Sequence, residues 1–285
     1  MTLAGAAGLL ATAATNGAAV PSFNVIALEH AEAVTVGAAS AGSGALLQLS
    51  ENAIAYRGSP WPLLAACREL AEASEAPLGI HLDHIADRAL AETLIERAER
   101  YGVGSIMFDA STLDYAANVA ATRKIAVRAH DAGLLVEAEL GAIGGKDGAH
   151  APGVRTDPGE AADFVAATGV DALAVAVGSS HAMRDRTAAL DLELIARLAA
   201  AVPVPLVLHG SSGVPDESIA QAVAAGIRKV NVGTALNVAA TAALRAALAA
   251  RPDAVDPRRY SEDSRRAMAE LVASFCAVVR EPVAA

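Results

Sequence analysis

Residues 78–109 read LGIHLDHIADRALAETLIERAERYGVGSIMFD. Two short apolar runs, Leu78–His84 and Ser105–Asp109, flank an amphipathic stretch of helix length from Asp87 to Tyr101. Strand, helix, strand in that order, with both strands apolar enough to be covered on two faces, is a parallel β-α-β unit. The alternation continues in both directions. Further apolar runs stand at Ser22–Leu28, Leu46–Ser50, Leu134–Leu140, Ala172–Gly178, Leu206–Gly210 and Lys229–Gly233, which makes eight in all. Amphipathic segments such as Leu113–Ala132 and Asp216–Ala225 separate them. Eight such units in 285 residues fit an α/β fold of the (β/α)8 TIM-barrel type, with a doubly wound open sheet as the alternative. Residues 1–285 read as one domain, and Asp256–Arg280 as extra C-terminal helices. Thr156-Asp157-Pro158 places a cap before a first-turn proline, and Val214-Pro215-Asp216-Glu217 puts acids where a helix dipole favours them.

The chain is 54% hydrophobic with only 3% aromatic residues, which suits helices packed on a sheet through small side chains. Its 22 basic and 32 acidic residues give a formal charge of −10, so neither nucleic acid nor an anionic membrane is an expected partner. Cys67 and Cys276 lack CxxC spacing and read as reduced thiols of a cytoplasmic protein. The first twenty residues are apolar but carry no basic n-region, and they read as a first helix rather than a leader.

Polar residues fall where a buried strand should be apolar, at the carboxyl ends. Asn24, Ser50, His81, Asp83, His84, Asp109, Glu137, Glu139, His181, His209 and Asn231 all lie at or just past such an end. In a barrel these positions converge on one face. His84, His181 and His209 then offer three imidazoles, a ligand set suited to a catalytic divalent metal with one open position. Neighbouring strand residues face opposite ways, so Asp83 and His84 reach one site only if the chain turns there. Asp109 and Glu139 read equally as carboxylates supporting or binding a metal, or as partners of a buried Arg or Lys; Glu137 reads as structural, one layer deeper. His209-Gly210-Ser211-Ser212-Gly213 and Asn231-Val232-Gly233-Thr234 follow the last two strands, where barrels often cradle phosphate with backbone N–H groups. Arg258, Arg259 and Arg280 read as solvated arginines or as a second anion site. Lysines occur only at 124, 146 and 229, and Lys229 starts the last apolar run away from the rim, which argues against imine chemistry.

Taken in order, Ser22-Phe23-Asn24, Gln48-Leu49-Ser50, His81-Leu82-Asp83-His84, Met107-Phe108-Asp109, Val136–Gly141, Gly178–His181, Leu208–Gly213, Lys229–Thr234 and Asp256-Pro257-Arg258 resemble the metal-dependent class II fructose-bisphosphate/tagatose-bisphosphate aldolase family, from Pro21 to Met268. The resemblance implies zinc bound by His84, His181 and His209, a second metal position at Asp109 and Glu139, and Asp83 as the proton-transfer carboxylate. It places Asn24, Ser50 and His81 on the substrate side, Asn24 among the catalytic groups. It makes Gly210, Ser211, Ser212, Asn231, Val232, Gly233 and Thr234 the cradle for dihydroxyacetone phosphate, with Ala182 beside them and a monovalent cation (Na+ or K+) near Gly178 and Gly210. It also implies a phosphorylated ketose as substrate and a homodimer or homotetramer. Three departures stand out. Ala182 replaces a usual glycine, and Arg184 a frequent tyrosine. Asp147, in Gly144-Gly145-Lys146-Asp147-Gly148, stands alone where the family has an acidic pair that moves protons. A zinc hydrolase and a non-catalytic sugar-phosphate binder are the rival readings.

Overall fold

A computed structural model describes residues 3–140, 155–180, 183 and 185–280. Eight strands, β1 (Val20–Asn24), β2 (Ala45–Ser50), β3 (Leu78–Ile85), β4 (Val103–Phe108), β5 (Leu135–Glu139), β6 (Ala172–Ala174), β7 (Leu206–Leu208) and β8 (Ile227–Val232), pair in sequence order. Every pairing is parallel, and β8 closes on β1. The expected (β/α)8 barrel is the observed one. The described helices are α1 (Ala6–Thr15), α2 (Leu28–Ala41), α3 (Glu51–Arg57), α4 (Trp61–Ala73), α5 (Arg88–Glu96), α6 (Ala98–Tyr101), α7 (Tyr115–Asp131), α8 (Pro158–Thr168), α9 (Leu192–Ala201), α10 (Asp216–Ala225), α11 (Thr234–Ala250) and α12 (Arg258–Arg280).

The capping chemistry works as read, with one refinement. Asp157 accepts from Gly159 and Glu160 N–H at the start of α8, while Thr156 Oγ1 instead accepts from Ala176 N at 2.8 Å and ties the chain to the end of β6. Asp87 caps α5 and Asp114 caps α7 in the same way. The C-terminal extension is one long helix of 23 residues rather than several. It packs on α2 and α11, with Phe275 edge-on to Phe23 at 6.0 Å. At Gly37 of α2 an added Cβ would stand 2.5 Å from Ala269 O, so the two helices lie closer than any side chain there allows.

One main core lies between barrel and helices. At the amino-terminal end of the strands, Ala6, Leu10 and Ala13 of α1 pack on Val20 and Leu46 and cover the barrel floor. Inside, Met107, Ala172, Ala174, Ala176 and Val207 form a small apolar cluster. Buried His81, Glu137 and Lys229 fill another part of the interior. They come from β3, β5 and β8, which are not neighbours, so their contacts span the barrel.

Candidate active site

The carboxyl ends of the strands open into a cavity of about 570 Å3 whose wall includes Asn24, Ser50, Asp83, His84, Asp109 and His209. Asp83 and His84 both reach it because the strand does turn. His84 has φ +48°, the only positive φ at a non-glycine among the described residues, and the ladder to β4 shifts register between Leu82 and Ile85. Such a conformation costs about 1–3 kcal/mol and persists only where its surroundings demand it. Here the ring is held at Nδ1, which lies 2.7 Å from Asp109 Oδ2, while its Nε2 faces His209 Nδ1 at 2.8 Å. Asp109 is itself fixed by Ser111, whose Oγ donates to Oδ1 at 2.6 Å.

His209 is fully buried and stands edge-on to His84, with ring centroids 4.6 Å apart. Its Nε2 lies 2.9 Å from Glu137 Oε1. Asn231 Nδ2 is 3.1 Å from the same nitrogen, but that amide also donates to Asp83 Oδ1 at 3.1 Å, and donor facing donor makes no bond. A carboxylate only accepts, so each outer ring nitrogen carries its hydrogen toward a carboxylate. The inner pair, His84 Nε2 and His209 Nδ1, then brings two lone pairs together at 2.8 Å. Only a shared cation makes that favourable, either a proton on one ring or a metal ion taking both donors. Carboxylates behind metal-binding imidazoles are the usual support for such ligands, and the residues present fit a divalent ion. Ligand atoms of Asp83, His84 and His209 lie within 4.8 Å of one another, as do those of His84, Asp109 and Glu139. The structure brings Asp109 and Glu139 beside His84. A buried lysine pairing is made by Glu137, with Lys229 at 2.7 Å.

The cradle segments separate. Gly210, Ser212, Asn231, Gly233 and Thr234 line the cavity. Gly210 has φ +66°, and a Cβ there would meet the Ser180 backbone at 2.6 Å. Ser211 does not face the cavity: it is buried, and its Oγ donates to Asn231 O at 2.5 Å, tying the loop to β8. Val232 is likewise buried in the shell core. Ser212 Oγ accepts from Ala235 N at 3.0 Å, in the first turn of α11. Ser50 lines the cavity while capping α3 through Ala53 N. His81 is not on the wall. It lies beneath it, with Nδ1 2.8 Å from Ser105 Oγ, and burial with the neighbouring Lys229 pushes its pKa well below the usual imidazole value. Lys229 does not start its strand, which begins at Ile227; it points into the barrel. His181, Ala182, Arg184 and Asp147 lie outside the described residues. Arg258 pairs with Asp256, and Arg280 donates to Ala41 O.

Gln48 was not among the expected site residues. It lines the cavity, accepts from Ser22 Oγ and donates to Asn24 Oδ1, which orients the Asn24 amide. A polar side chain inside the apolar run Leu46–Ser50, two residues before Ser50, was the signal. Thr112 and Asn237 also line the cavity, from a loop and a helix that carry no strand-end pattern.

A sequence profile described as "Fructose-bisphosphate aldolase class-II" matches residues 5–281. The chain is 29% identical to the YdjI aldolase from Escherichia coli K12, with a TM-score of 0.84 and 99% of each chain covered. It is 30% identical to a putative fructose-1,6-biphosphate aldolase from Coccidioides immitis, with a TM-score of 0.87 over 98% of this chain and 96% of that one. Fructose-bisphosphate aldolase from Campylobacter jejuni shares the fold at 21% identity, with a TM-score of 0.82 over 96% and 93%.

Proposed function

The chain belongs to the class II fructose-bisphosphate aldolase family, and from that premise we propose that it reversibly cleaves a phosphorylated ketose to dihydroxyacetone phosphate and an aldehyde, such as glyceraldehyde 3-phosphate, using zinc held by His84, His209 and His181. The observation that carries the zinc site is the pair of imidazole nitrogens facing each other at 2.8 Å, each ring backed by a carboxylate. Zinc bound there supplies Lewis-acid stabilisation for the negative charge that carbon–carbon cleavage leaves beside a carbonyl.

The chain's own groups do the rest. Asp83, held by Asn231 at the cavity wall, takes the proton from the hydroxyl on the carbon being released and returns it in the reverse direction. Backbone N–H groups around Gly210, Ser212, Gly233 and Thr234, at the start of α11, bind the phosphate and align the ketose for cleavage. Asn24, oriented by Gln48, and the buried Oδ1 of Asn231, which has no hydrogen-bond partner among the described residues, are placed for substrate hydroxyls. Asp109 and Glu139 offer a second metal position beside His84. Asp147 and Ala182 remain part of this reading through the family pattern. The test is triose-phosphate release from a panel of ketose mono- and bisphosphates, fructose and tagatose bisphosphates among them. Release should vanish with a chelator and return with zinc. Turnover that ignores the chelator would remove the metal from the reading.

A further inference from the structure

Beneath the cavity, Lys229 Nζ donates to Glu137 Oε2 at 2.7 Å and lies 3.3 Å from His81 Nε2. Glu137 Oε1 in turn faces His209 Nε2 at 2.9 Å. The chemistry of the groups sets every hydrogen-bond direction. An ammonium has only donors and a carboxylate only accepts. Lys229 therefore donates to Glu137, and Glu137 obliges His209 to present Nε2–H. His81, kept neutral by burial, accepts from Lys229 at Nε2 and donates from Nδ1 to Ser105 Oγ at 2.8 Å. Lys229 and Glu137 are both buried, so each depends on the other for compensation of its charge. Lys229 is not on the cavity wall, which leaves it no reach to a substrate carbonyl.

We infer that Lys229 is a positioning residue for the metal centre: its ammonium anchors one oxygen of Glu137, so that the other fixes the His209 ring with Nδ1 turned toward His84. The inference rests on the zinc reading above. Without the ammonium, Glu137 Oε2 keeps only His81 Nε2 at 3.8 Å, beyond hydrogen-bond reach, among the described residues; the carboxylate rotates and its grip on His209 slackens. Partners of this kind behind a metal-binding histidine change metal affinity by about 10–100-fold.

The experiment is a double-mutant cycle on zinc affinity, read by competition with a chromophoric chelator on the full chain, Lys229→Met, Glu137→Gln and the double variant. Cobalt absorption spectra report the ligand geometry of each, and circular dichroism the fold. Lys229→Met and Glu137→Gln should each weaken zinc by about 10–100-fold, and the double variant should be no weaker than the worse single. Unchanged affinity in Lys229→Met, or losses that multiply in the double variant, would overturn the inference. Should Lys229→Met fail to fold, Glu137→Gln against the double variant, which carries neither interior charge, still decides. Equal affinity supports the relay, and a further loss contradicts it. Failure of the unmodified chain to bind zinc would instead overturn the metal reading itself.

Discussion

At the scale of single residues, His84 carries the most information. Its left-handed backbone lets consecutive side chains serve one cavity. Sequence reasoning required a turn at that point but had no means of saying how it is made. Asp83→Asn keeps the shape and the Asn231 contact while removing the base; the expected loss in kcat is about 10²–10⁴-fold with folding unchanged, read by steady-state kinetics and circular dichroism. The buried thiols make a second residue-scale test. Burial pushes Cys67 up to about 12 and Cys276 up to about 11, so neither should react with a disulfide reagent at pH 8 until the chain is unfolded. Prompt labelling of the folded protein would contradict the packing around them. His84, His209 and Asp83 were legible because reactive side chains at strand ends are unusual in apolar runs. Strand-end position says nothing about depth, so it does not separate the buried side chains of Ser211 and His81 from those on the wall. One hydroxyl is used inside the loop, and one imidazole sits a layer below the wall.

At the scale of elements, the strand–helix alternation was readable throughout, whereas the ends of elements were less so. The run Ser22–Leu28 reads as one strand, yet β1 stops at Asn24 and α2 begins at Leu28. Val25 is buried as a strand residue would be, so an apolar run alone cannot mark where pairing ends. The run Ala172–Gly178 behaves likewise, since only Ala172–Ala174 form β6 while Val175, Ala176 and Val177 stay buried beyond it. The stretch Asp87–Tyr101 divides at Arg97, whose backbone leaves the helical region between α5 and α6. The close seam of α2 and α12 gives an element-scale prediction. Gly37→Ala forces a methyl toward Ala269 O and Val272, and should lower unfolding free energy by about 1–3 kcal/mol in urea titrations. A change within error would mean that α12 shifts without cost.

At the scale of the whole molecule, the barrel stacks a polar interior layer beneath its active face. That layer makes stability depend on pH in a defined direction. His81 is held well below its usual pKa by burial and Lys229, and His30 is lowered by burial. Both imidazoles are neutral when folded and take up protons more readily once unfolded. Their stabilising effect is therefore complete above the unfolded pKa of about 6.5 and is lost progressively as pH falls below it. Urea titrations at pH 7.5 and 5.5 should show lower stability at the acid end, and His81→Asn should show a smaller difference between the two. An equal difference in both proteins would assign the pH dependence elsewhere. Zinc K-edge X-ray absorption on the loaded chain reads the ligands of the ion themselves. The expected spectrum shows imidazole scattering in a nitrogen/oxygen shell at about 2.0–2.1 Å, with two fewer imidazoles once His84 and His209 are both replaced by alanine. An unchanged spectrum in that double variant, or a shell without imidazole, would contradict it.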